Sequence, residues 1–314
     1  MIETKFSNQY NHIPVMLNEV LSFLKPQKNE IFFDGTFGAG GYSQAILETG
    51  DCKVFAVDRD KNVEKFVEKL LKKFPQNFKF NFAKFSEIKE ILAEHDIQNI
   101  DGVVLDVGVS SMQLDERARG FSFDSTQKLD MRMDQSQELS AYEVVNQFSV
   151  EDLTKIIRDF GDEPKAKRIA EKIATNRSKQ MITSCCELAD IVRSLYVGYY
   201  KTDPATRTFQ ALRIFVNNEL EELRFALDSA LRLLKKGGRM VVVSFHSLED
   251  KIVKDFFKAS AGITQSVSRY EPDIVKQVPK ILQLLNKSAI EPSDIEVKSN
   301  PRSRSAKLRA IIKL

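Results

Sequence analysis

The sequence lacks the residues and runs that mark several classes of protein. It has only three cysteines (Cys52, Cys185 and Cys186) and three histidines, and neither set has the spacing of metal ligands. We therefore expect no disulfide and no metal site. The start has no apolar stretch typical of a signal peptide, and no run approaches the ~20 apolar residues of a membrane span. These absences favour a globular, cytoplasmic protein.

The chain also lacks a strong excess of charge of one sign. Its net charge is +3 and its isoelectric point about 8.5, too mild to indicate a nucleic-acid partner, which is recognised by clustered basic residues. One cluster is present, because Lys298–Lys313 contains six basic residues and no acidic one. This segment is either a contact surface for nucleic acid or a solvated tail that ends in an ordinary strand.

Apolar runs at intervals predict an α/β fold. Four strand-like runs precede residue 110, and helical patterns lie between them. They are Ile31–Phe33, Lys53–Val57, Phe78–Phe82 and Val103–Val107. Such alternation predicts a mostly parallel, Rossmann-like sheet. A fifth run, Arg239–Phe245, comes much later in the chain.

A loop and a helical block separate the fourth and fifth strands. The loop from Gly108 to about Asp134 shows no regular period, which is typical of functional loops, and capping signals at Ser149 and Ser184 predict helices beyond it. A long helix over Glu219–Lys236 then leads to the fifth strand. We predict a sheet domain formed by residues 1–110 and 205–314. Residues 111–204 are predicted to form an active-site loop and an inserted, small all-helical domain for substrate recognition.

A glycine-rich loop follows the first strand. The segment Phe32–Gly41 runs from apolar residues into four glycines, which let the backbone approach a bulky ligand, and the helix that follows offers unpaired N–H groups. The second strand ends at Asp58, where doubly wound sheets place a carboxylate on a ribose. Together these features predict a nucleoside-bearing cofactor.

Two further absences narrow the choice of cofactor. The dinucleotide fingerprint needs glycine where this chain has Ser43, and no Lys-Ser/Thr pair follows the loop as in a P-loop. A pyrophosphate is therefore disfavoured. S-adenosylmethionine fits better, because Asp34 or Asp106, each at a strand end, could face its ammonium group and the N–H groups of Gly40 and Gly41 its carboxylate. The alternative for Asp34 is that it only caps the loop.

Several further segments carry a resemblance to a known family over nearly the whole chain. Besides the glycine loop they are His12–Glu19, Asp106–Asp115, Arg119–Phe123, Leu129–Met133, Ala205–Arg213, Ser244–Asp250 and Asn300–Ser305. In these segments the chain resembles the ribosomal RNA small subunit methyltransferase H family, also called MraW. The resemblance implies an S-adenosylmethionine-dependent methyltransferase sheet with a helical insertion. It also implies methylation of N4 of a cytidine, cytosine 1402, in the decoding region of 16S ribosomal RNA, within the small subunit and with no membrane or obligate protein partner.

Carried over to this sequence, the resemblance implies a set of cofactor contacts, to which the glycine loop adds Gly38. The set is Gly38, Gly40, Gly41, Tyr42, Asp58, Phe85, Asp106 and Gln113. Tyr42 stands where the family usually has histidine, so its backbone N–H is the expected contact. Phe85 is expected to pack on adenine, with a plain core role as the alternative.

The chemistry predicted is direct in-line transfer to the cytosine amino nitrogen. Because the lone pair of that nitrogen is delocalised into the ring, the site needs a hydrogen-bond acceptor, and Asp106 or a backbone carbonyl of Val107–Val109 is the candidate. A base taken from its stack is commonly held between aromatic faces. The candidates for this role are Phe121, Phe123 and Phe245, of which Phe245 follows a buried strand and could equally belong to the core. His246 is interpreted as a hydrogen-bonding group, with a general base as the alternative.

Basic side chains are the expected contacts to the RNA backbone, which should make affinity fall with salt. They are Arg207, Arg213, Arg302, Arg304, Lys165, Lys167 and Arg168, of which the last three could equally be the outer faces of a helical bundle. Two other functions stay open. A DNA amino-methyltransferase usually has an Asn/Asp-Pro-Pro-aromatic turn after the fourth strand, and Asp106–Val109 has no proline. A non-catalytic RNA-binding or assembly factor would not need an intact cofactor loop.

Overall fold

The computed structural model describes residues 14–263 and 279–314 and divides the chain into two compact units. The sheet unit comprises Met1–Asp58, Asn62–Val107 and Phe225–Leu314, and the helical unit comprises Arg59–Lys61 and Gly108–Arg224. His12, the first residue of one of the family segments, lies outside the described residues. None of the helices in the described ranges is long and apolar enough to cross a bilayer.

The helices and strands alternate along most of the sheet unit and give way to helices alone in the middle of the chain. The first part of the chain forms α1 (Leu17–Leu24), β1 (Ile31–Asp34), α2 (Gly41–Thr49), β2 (Lys53–Asp58), α3 (Glu64–Lys73), β3 (Phe78–Phe82), α4 (Ile88–Ala93) and β4 (Ile100–Asp106). The middle forms α5 (Ser111–Asp115), α6 (Ala141–Gln147), α7 (Val150–Gly161), α8 (Ala166–Arg177), α9 (Cys185–Arg193) and α10 (Thr206–Asn217). The last part forms α11 (Glu219–Leu233), β5 (Leu234–Ser244), α12 (Ser247–Ser260), β6 (Leu282–Leu284), α13 (Asp294–Ser299) and β7 (Lys307–Lys313).

Seven strands form one sheet in the order β3-β2-β1-β4-β5-β7-β6. Strands β1 to β5 pair in parallel, whereas β7 runs antiparallel to β5 and β6 antiparallel to β7. The predicted, mostly parallel α/β sheet is confirmed. The strand order changes direction between β1 and β4, and open sheets of this kind bind ligands at the carboxyl ends of the strands beside such a switch point.

The structure differs from the sequence prediction near the fifth strand. The helix expected over Glu219–Lys236 ends at Leu233, because Leu234 already pairs with Ile100 of β4. A register shift follows, and Gly237 takes a φ of 84° that a glycine adopts without strain. At the C-terminus the basic segment does end in a strand, β7, which lies inside the sheet between β5 and β6.

The helical unit has a hydrophobic core of its own. The hydroxyls of Ser149 and Ser184 accept backbone N–H groups in the first turns of α7 and α9, so the predicted helix starts are confirmed. Helix α10 also contributes to this core, with Phe209 and Leu212 buried in it. The unit therefore runs from Gly108 to Arg224, apart from a short segment at Arg59–Lys61, rather than over the predicted 111–204. The reason is that α10 buries its apolar face in the insertion.

Candidate functional site

Three acidic residues end three neighbouring strands. Asp34 ends β1, Asp58 ends β2 and Asp106 ends β4, and β1 lies between the other two strands in the sheet. The residues that precede them in the strands are largely buried and apolar, so the strands carry three carboxylates to one edge of the sheet. The predicted positions of these acids at the ends of the strands are confirmed. The hydrogen bonds that each carboxylate forms distinguish the three residues from one another.

Asp34 is held by its own loop. Its carboxylate accepts the Thr36 N–H at 3.1 Å and the Ser43 hydroxyl proton at 2.7 Å, and the side chain is fully buried. Burial raises the pKa of Asp34 to about 6, although the bonds from Ser43 and Thr36 oppose the rise. The arrangement matches a residue that caps the glycine loop. Of the two candidates for an ammonium contact, Asp106 is therefore the better placed.

Asp106 has one carboxylate oxygen without a partner. Its Oδ1 is buried and accepts no hydrogen bond within the described chain, while Oδ2 lies 3.4 Å from the Tyr42 hydroxyl. The backbone N–H of Asp106 donates to Thr36 Oγ1 at 2.7 Å, which joins the end of β4 to the glycine loop. Burial, the charge of Asp34 and, less strongly, that of Glu249 raise the pKa of Asp106 to about 8. A buried acceptor without a donor costs roughly 1–3 kcal/mol, so Oδ1 is the best candidate for a ligand contact.

Tyr42 borders the same carboxylate. Its side chain is 4% exposed, and its hydroxyl donates to the Val15 carbonyl at 2.5 Å, with Asp106 Oδ2 as a second, more distant acceptor. Burial, together with the charges of Asp106 and Asp34, raises the pKa of Tyr42 well above 10. The phenol therefore stays neutral and remains a donor. The cofactor contact predicted for the Tyr42 backbone N–H stays a prediction. The side chain of Tyr42 instead contacts Asp106.

The glycine loop is tied to the second strand. The Gly38 N–H donates to Asp58 Oδ2 at 2.8 Å. Gly40 precedes α2 with a φ of 78°, and a Cβ there would lie 2.7 Å from the Phe37 ring, so only glycine fits without strain. Helix α2 then begins at Gly41, and the first N–H groups of a helix have no partner within it. A carboxylate has about four lone-pair sites, so the bond from Gly38 is compatible with the ribose contact predicted for Asp58.

Phe85 lies beside the glycine loop. It opens the turn Phe85–Glu87 after β3 and is half-buried. Its Cβ lies 2.9 Å from the point that a Cβ on Gly35 would occupy, so the backbones approach each other closely at this point. The predicted adenine contact is compatible with this place and stays a prediction.

His246 is the cap of α12. Its Nδ1 accepts the Glu249 N–H at 3.4 Å, and its Nε2 lies 2.9 Å from Glu249 Oε1. The other oxygen of Glu249 accepts the N–H groups of Phe245 and His246 at 2.8 and 3.2 Å. This reciprocal arrangement favours the hydrogen-bonding role for His246 over that of a general base. Phe245 is half-buried, and its stacking role stays a prediction.

In the helical unit, Gln113 belongs to a buried network. Its Oε1 accepts the Ser110 N–H at 3.0 Å in a capping box at the start of α5, and its Nε2 donates to Asp60 Oδ2 at 2.9 Å. Both oxygens of Asp60 accept from Arg119 Nη1, at 3.0 and 2.8 Å, and the Arg119 side chain is 2% exposed. The amide of Gln113 thus orders the loop, and its direct contact with the cofactor stays a prediction.

The two phenylalanines of the loop have packing roles that the sequence did not reveal. Phe121 is 8% exposed and belongs to the core of the helical unit. Phe123 is half-buried, makes an edge contact with the Phe209 ring at 6.1 Å and lies 5.7 Å below the Arg193 guanidinium. The stacking role predicted for Phe121 is not supported by this burial. For Phe123 the stacking role stays a prediction, and its ring already contacts two other side chains.

The predicted RNA contacts differ in exposure, and some of the exposed ones also have partners, since Arg207 donates to the Asp162 carbonyl at 3.1 Å and Lys167 lies 4.0 Å from Glu171. Arg207, Arg302, Arg304, Lys167 and Arg168 are exposed. Arg213 instead forms a two-point ion pair with Glu219, both at 2.8 Å and both mostly buried, so its role is structural. The ammonium group of Lys165 lies 3.7 Å above the Tyr196 ring and donates to the Leu195 carbonyl.

Sequence reasoning missed the residues that support the acids. Thr36 and Ser43 hold Asp106 and Asp34 in place, and Arg119 holds Asp60. Ser43 had a detectable signal, because it stands where a dinucleotide site would need its third glycine. Arg119 stands in one of the family segments, but no signal linked it to Asp60, since the two residues are far apart in the chain.

Comparison with known proteins identifies the family to which the chain belongs. The model of the MraW methylase family matches residues 9–314. A protein named "Ribosomal RNA small subunit methyltransferase H" from Wolbachia sp. subsp. Drosophila simulans (strain wRi) is 49% identical over 304 residues, which cover 96% of this chain and 99% of the relative. One of the same name from Rickettsia bellii (strain RML369-C) is 49% identical over 309 residues, 98% of this chain and 100% of the relative. The crystal structure of an rRNA methylase from Streptococcus thermophilus aligns with a TM-score of 0.41 at 10% identity, over 95% of this chain and 93% of that one, a likeness too distant to inform the function.

Proposed function

We propose, since the chain belongs to the MraW methylase family, that it methylates N4 of a cytidine, cytosine 1402, in the 16S RNA of the small ribosomal subunit. Membership confirms the predicted family, the α/β methyltransferase fold and S-adenosylmethionine as the cofactor. The names of the relatives support ribosomal RNA as the acceptor. The choice of cytidine, the N4 position and direct in-line transfer are the finer part of the proposal.

The observation that carries the proposal is the unpartnered Oδ1 of Asp106 beside the glycine loop. S-adenosylmethionine has an amino-acid end with an ammonium and a carboxylate, and no phosphate. A buried carboxylate oxygen fits the ammonium, because an opposite charge at hydrogen-bond distance offsets the cost of burying the acid. The N–H groups at the start of α2, from Gly40 and Gly41 onward, fit the carboxylate. The residues present therefore fit the cofactor at its most highly charged end.

The remaining cofactor contacts follow from the strand ends. Asp58 is proposed to accept hydrogen bonds from the ribose hydroxyls, at the place where doubly wound sheets bind them. Phe85 is proposed to pack on adenine, where an aromatic contact contributes roughly 0.5–1.5 kcal/mol beyond the buried area. Gly38 supports Asp58 through its N–H, so its role is to hold the ribose acceptor in place.

S-adenosylmethionine supplies a methyl group on a positively charged sulfur. The part of the protein is to hold the acceptor nitrogen in line and to localise its lone pair, because positioning alone can supply up to about 7–11 kcal/mol of the barrier. Backbone carbonyls of Val107–Val109 follow Asp106 directly and are proposed to accept hydrogen bonds from the cytosine amino group, with Asp106 itself as the second candidate. His246 is proposed to orient this end of β5 through Glu249 rather than to remove a proton.

Methyl transfer tests the proposal directly. Labelled S-adenosylmethionine is offered to undermethylated small ribosomal subunits, to free 16S RNA and to DNA, and the products are digested to nucleosides. We expect N4-methylated cytidine from one of the RNA acceptors at a single position. Label in DNA alone would indicate a DNA amino-methyltransferase. Tight cofactor binding without any transfer would favour an assembly factor that has kept its pocket.

The Asp106→Asn variant separates the two roles of Asp106. If Asp106 holds the ammonium, the variant raises KM for S-adenosylmethionine and changes kcat much less. If Asp106 accepts from the substrate amino group, kcat falls while cofactor affinity is retained. Full turnover at unchanged KM would contradict both roles.

A further inference from the structure

A basic cleft lies in the sheet unit, at helix α12 and strand β7. It is lined by side chains of α12, β7, the end of β6 and the segment that follows β6, and its volume of about 230 Å³ includes open solvent. The lining residues are Lys254, Phe257, Lys258, Leu284, Asn286, Lys287 and Arg309. Four of these seven side chains carry a positive charge and none carries a negative one.

The four positively charged side chains of the cleft differ in whether they form an ion pair. Arg309 is 13% exposed at its side chain and forms a two-point ion pair with Asp250, at 2.7 and 3.1 Å. The ammonium groups of Lys254, Lys258 and Lys287 form no ion pair or hydrogen bond with any residue that the structure describes. Other lysines of the same unit are paired, as Lys73 is with Glu48 and Lys235 with Asp101. The cleft thus gathers three positive charges that no acidic side chain of residues 14–263 or 279–314 pairs with.

The floor of the cleft is firmly built. Phe257 is 2% exposed, and the amide of Asn286 donates to the carbonyls of Ser288 and Leu308 while its oxygen accepts the Ala310 N–H at 2.8 Å. Lys254 and Lys258 are four residues apart on α12 and share a face, and like charges at this spacing repel each other. An anion between the two ammonium groups would offset that repulsion.

We propose that this cleft, formed by Lys254, Lys258 and Lys287 over the Asn286 floor, binds backbone phosphates of the RNA substrate. The inference rests on the proposed function and adds a contact region on α12 beyond the family segment Ser244–Asp250. It commits to RNA because phosphates are the anions that an RNA presents in series, matching three cations on α12 and the segment after β6. It adds to the basic surface that the sequence suggested, in which Arg302 and Arg304 are exposed whereas Arg309 and Lys313 are engaged inside the protein.

The test compares two triple variants of the full chain. One replaces the cleft lysines (K254Q, K258Q and K287Q), and its matched control replaces three exposed lysines of α3 and α4 (K69Q, K72Q and K89Q). Binding to 16S RNA is measured against salt, and binding to S-adenosylmethionine serves as the check on folding. If each cleft lysine contacts one phosphate, the slope of log affinity against log salt falls by about 2, which is up to about 100-fold in affinity at ~0.1 M salt. The control should match the wild type, and both variants should bind the cofactor normally.

Other outcomes overturn the inference. An unchanged slope in the cleft variant, or an equal loss in the control, would show that the lysines are only a solvated surface. Inorganic phosphate at constant ionic strength should not compete, and selective competition in the wild type alone would assign the cleft to a free phosphate anion. If the wild type binds the cofactor but no RNA, the proposed function fails first, and the inference falls with it.

Discussion

Binding of the cofactor should release a proton from Asp106. The pKa of this carboxyl is raised to about 8 by burial and by the charge of Asp34, so below that pH most molecules hold it as a neutral acid. An ammonium group binds the ionised form, and the proton must therefore leave when the cofactor binds. The link is thermodynamic and does not depend on the rate of methyl transfer.

The size of the effect follows from the pKa. The apparent Kd carries the factor 1 + 10^(8 − pH), which is about 100 at pH 6 and about 11 at pH 7, so affinity should rise about ninefold between them. At pH 7 about 0.9 of a proton should be released for each cofactor bound. The direction is fixed, because a raised carboxyl pKa makes the charged, binding-competent form scarcer as the pH falls.

Isothermal titration calorimetry measures both quantities. Titrations at pH 6 and pH 7 give the affinities, and paired buffers of different ionisation enthalpy give the number of protons released. The control is Asp106→Asn, which cannot ionise and should bind more weakly with little dependence on pH. Asp34, with a pKa of about 6, is present in both proteins, so its contribution cancels in the comparison. A wild-type affinity that is flat between pH 6 and 7, or a slope retained in Asp106→Asn, would refute the reasoning.

Three further predictions concern the residues around this site and the buried ion pair. Arg119→Met should destabilise the protein by about 3–5 kcal/mol in urea unfolding, because the buried Asp60 carboxylate loses its cationic partner, and adding Asp60→Leu should recover much of the loss; equal stability of the single and double variants would contradict this. Gly40→Ala should lower Tm and cofactor affinity, since its left-handed backbone costs roughly 1–2 kcal/mol, whereas Gly50→Ala, at an extended and open position, should not. Tyr42→Phe removes the hydrogen bond from Tyr42 that lowers the pKa of Asp106. The pH dependence of cofactor affinity should therefore move to higher pH, and an unmoved midpoint would exclude the contact between Tyr42 and Asp106.

The sequence predicted the sheet well because its strands are nearly continuous apolar runs. Buried parallel strands such as β2 and β4 produce continuous apolar runs in the sequence, and an acidic residue at the end of such a run is easily recognised. The boundary predicted at 205 differs from the grouping of α10 with the helical unit, because α10 carries an apolar face whose partner is not visible in sequence. Helix α10 packs on the core of the helical unit, and only the tertiary structure shows on which core an amphipathic helix lies.

Side-chain roles were harder to predict than positions. Phe121 looked free for stacking because its loop is polar, yet its ring belongs to the core. Arg213 looked like a phosphate contact, yet Glu219 neutralises it. In both cases the chemical type of a residue can be read from the sequence, whereas its availability depends on partners that lie elsewhere in the chain.

The contrast between Asp34 and Asp106 shows how one loop can assign different roles to two similar acids. Each ends a parallel strand at the same edge, and burial raises the pKa of both. Ser43 gives Asp34 a donor, so that carboxyl is satisfied without a ligand, while Thr36 takes only the backbone N–H of Asp106 and leaves its Oδ1 unpartnered. A glycine in place of Ser43, as the dinucleotide fingerprint requires, would leave Asp34 with the Thr36 N–H but without the hydroxyl donor, and each acid would then have a carboxylate oxygen without such a donor. The departure from that fingerprint therefore leaves Asp106 as the carboxyl with an unpartnered oxygen, which is the basis of its proposed contact with a positively charged ligand.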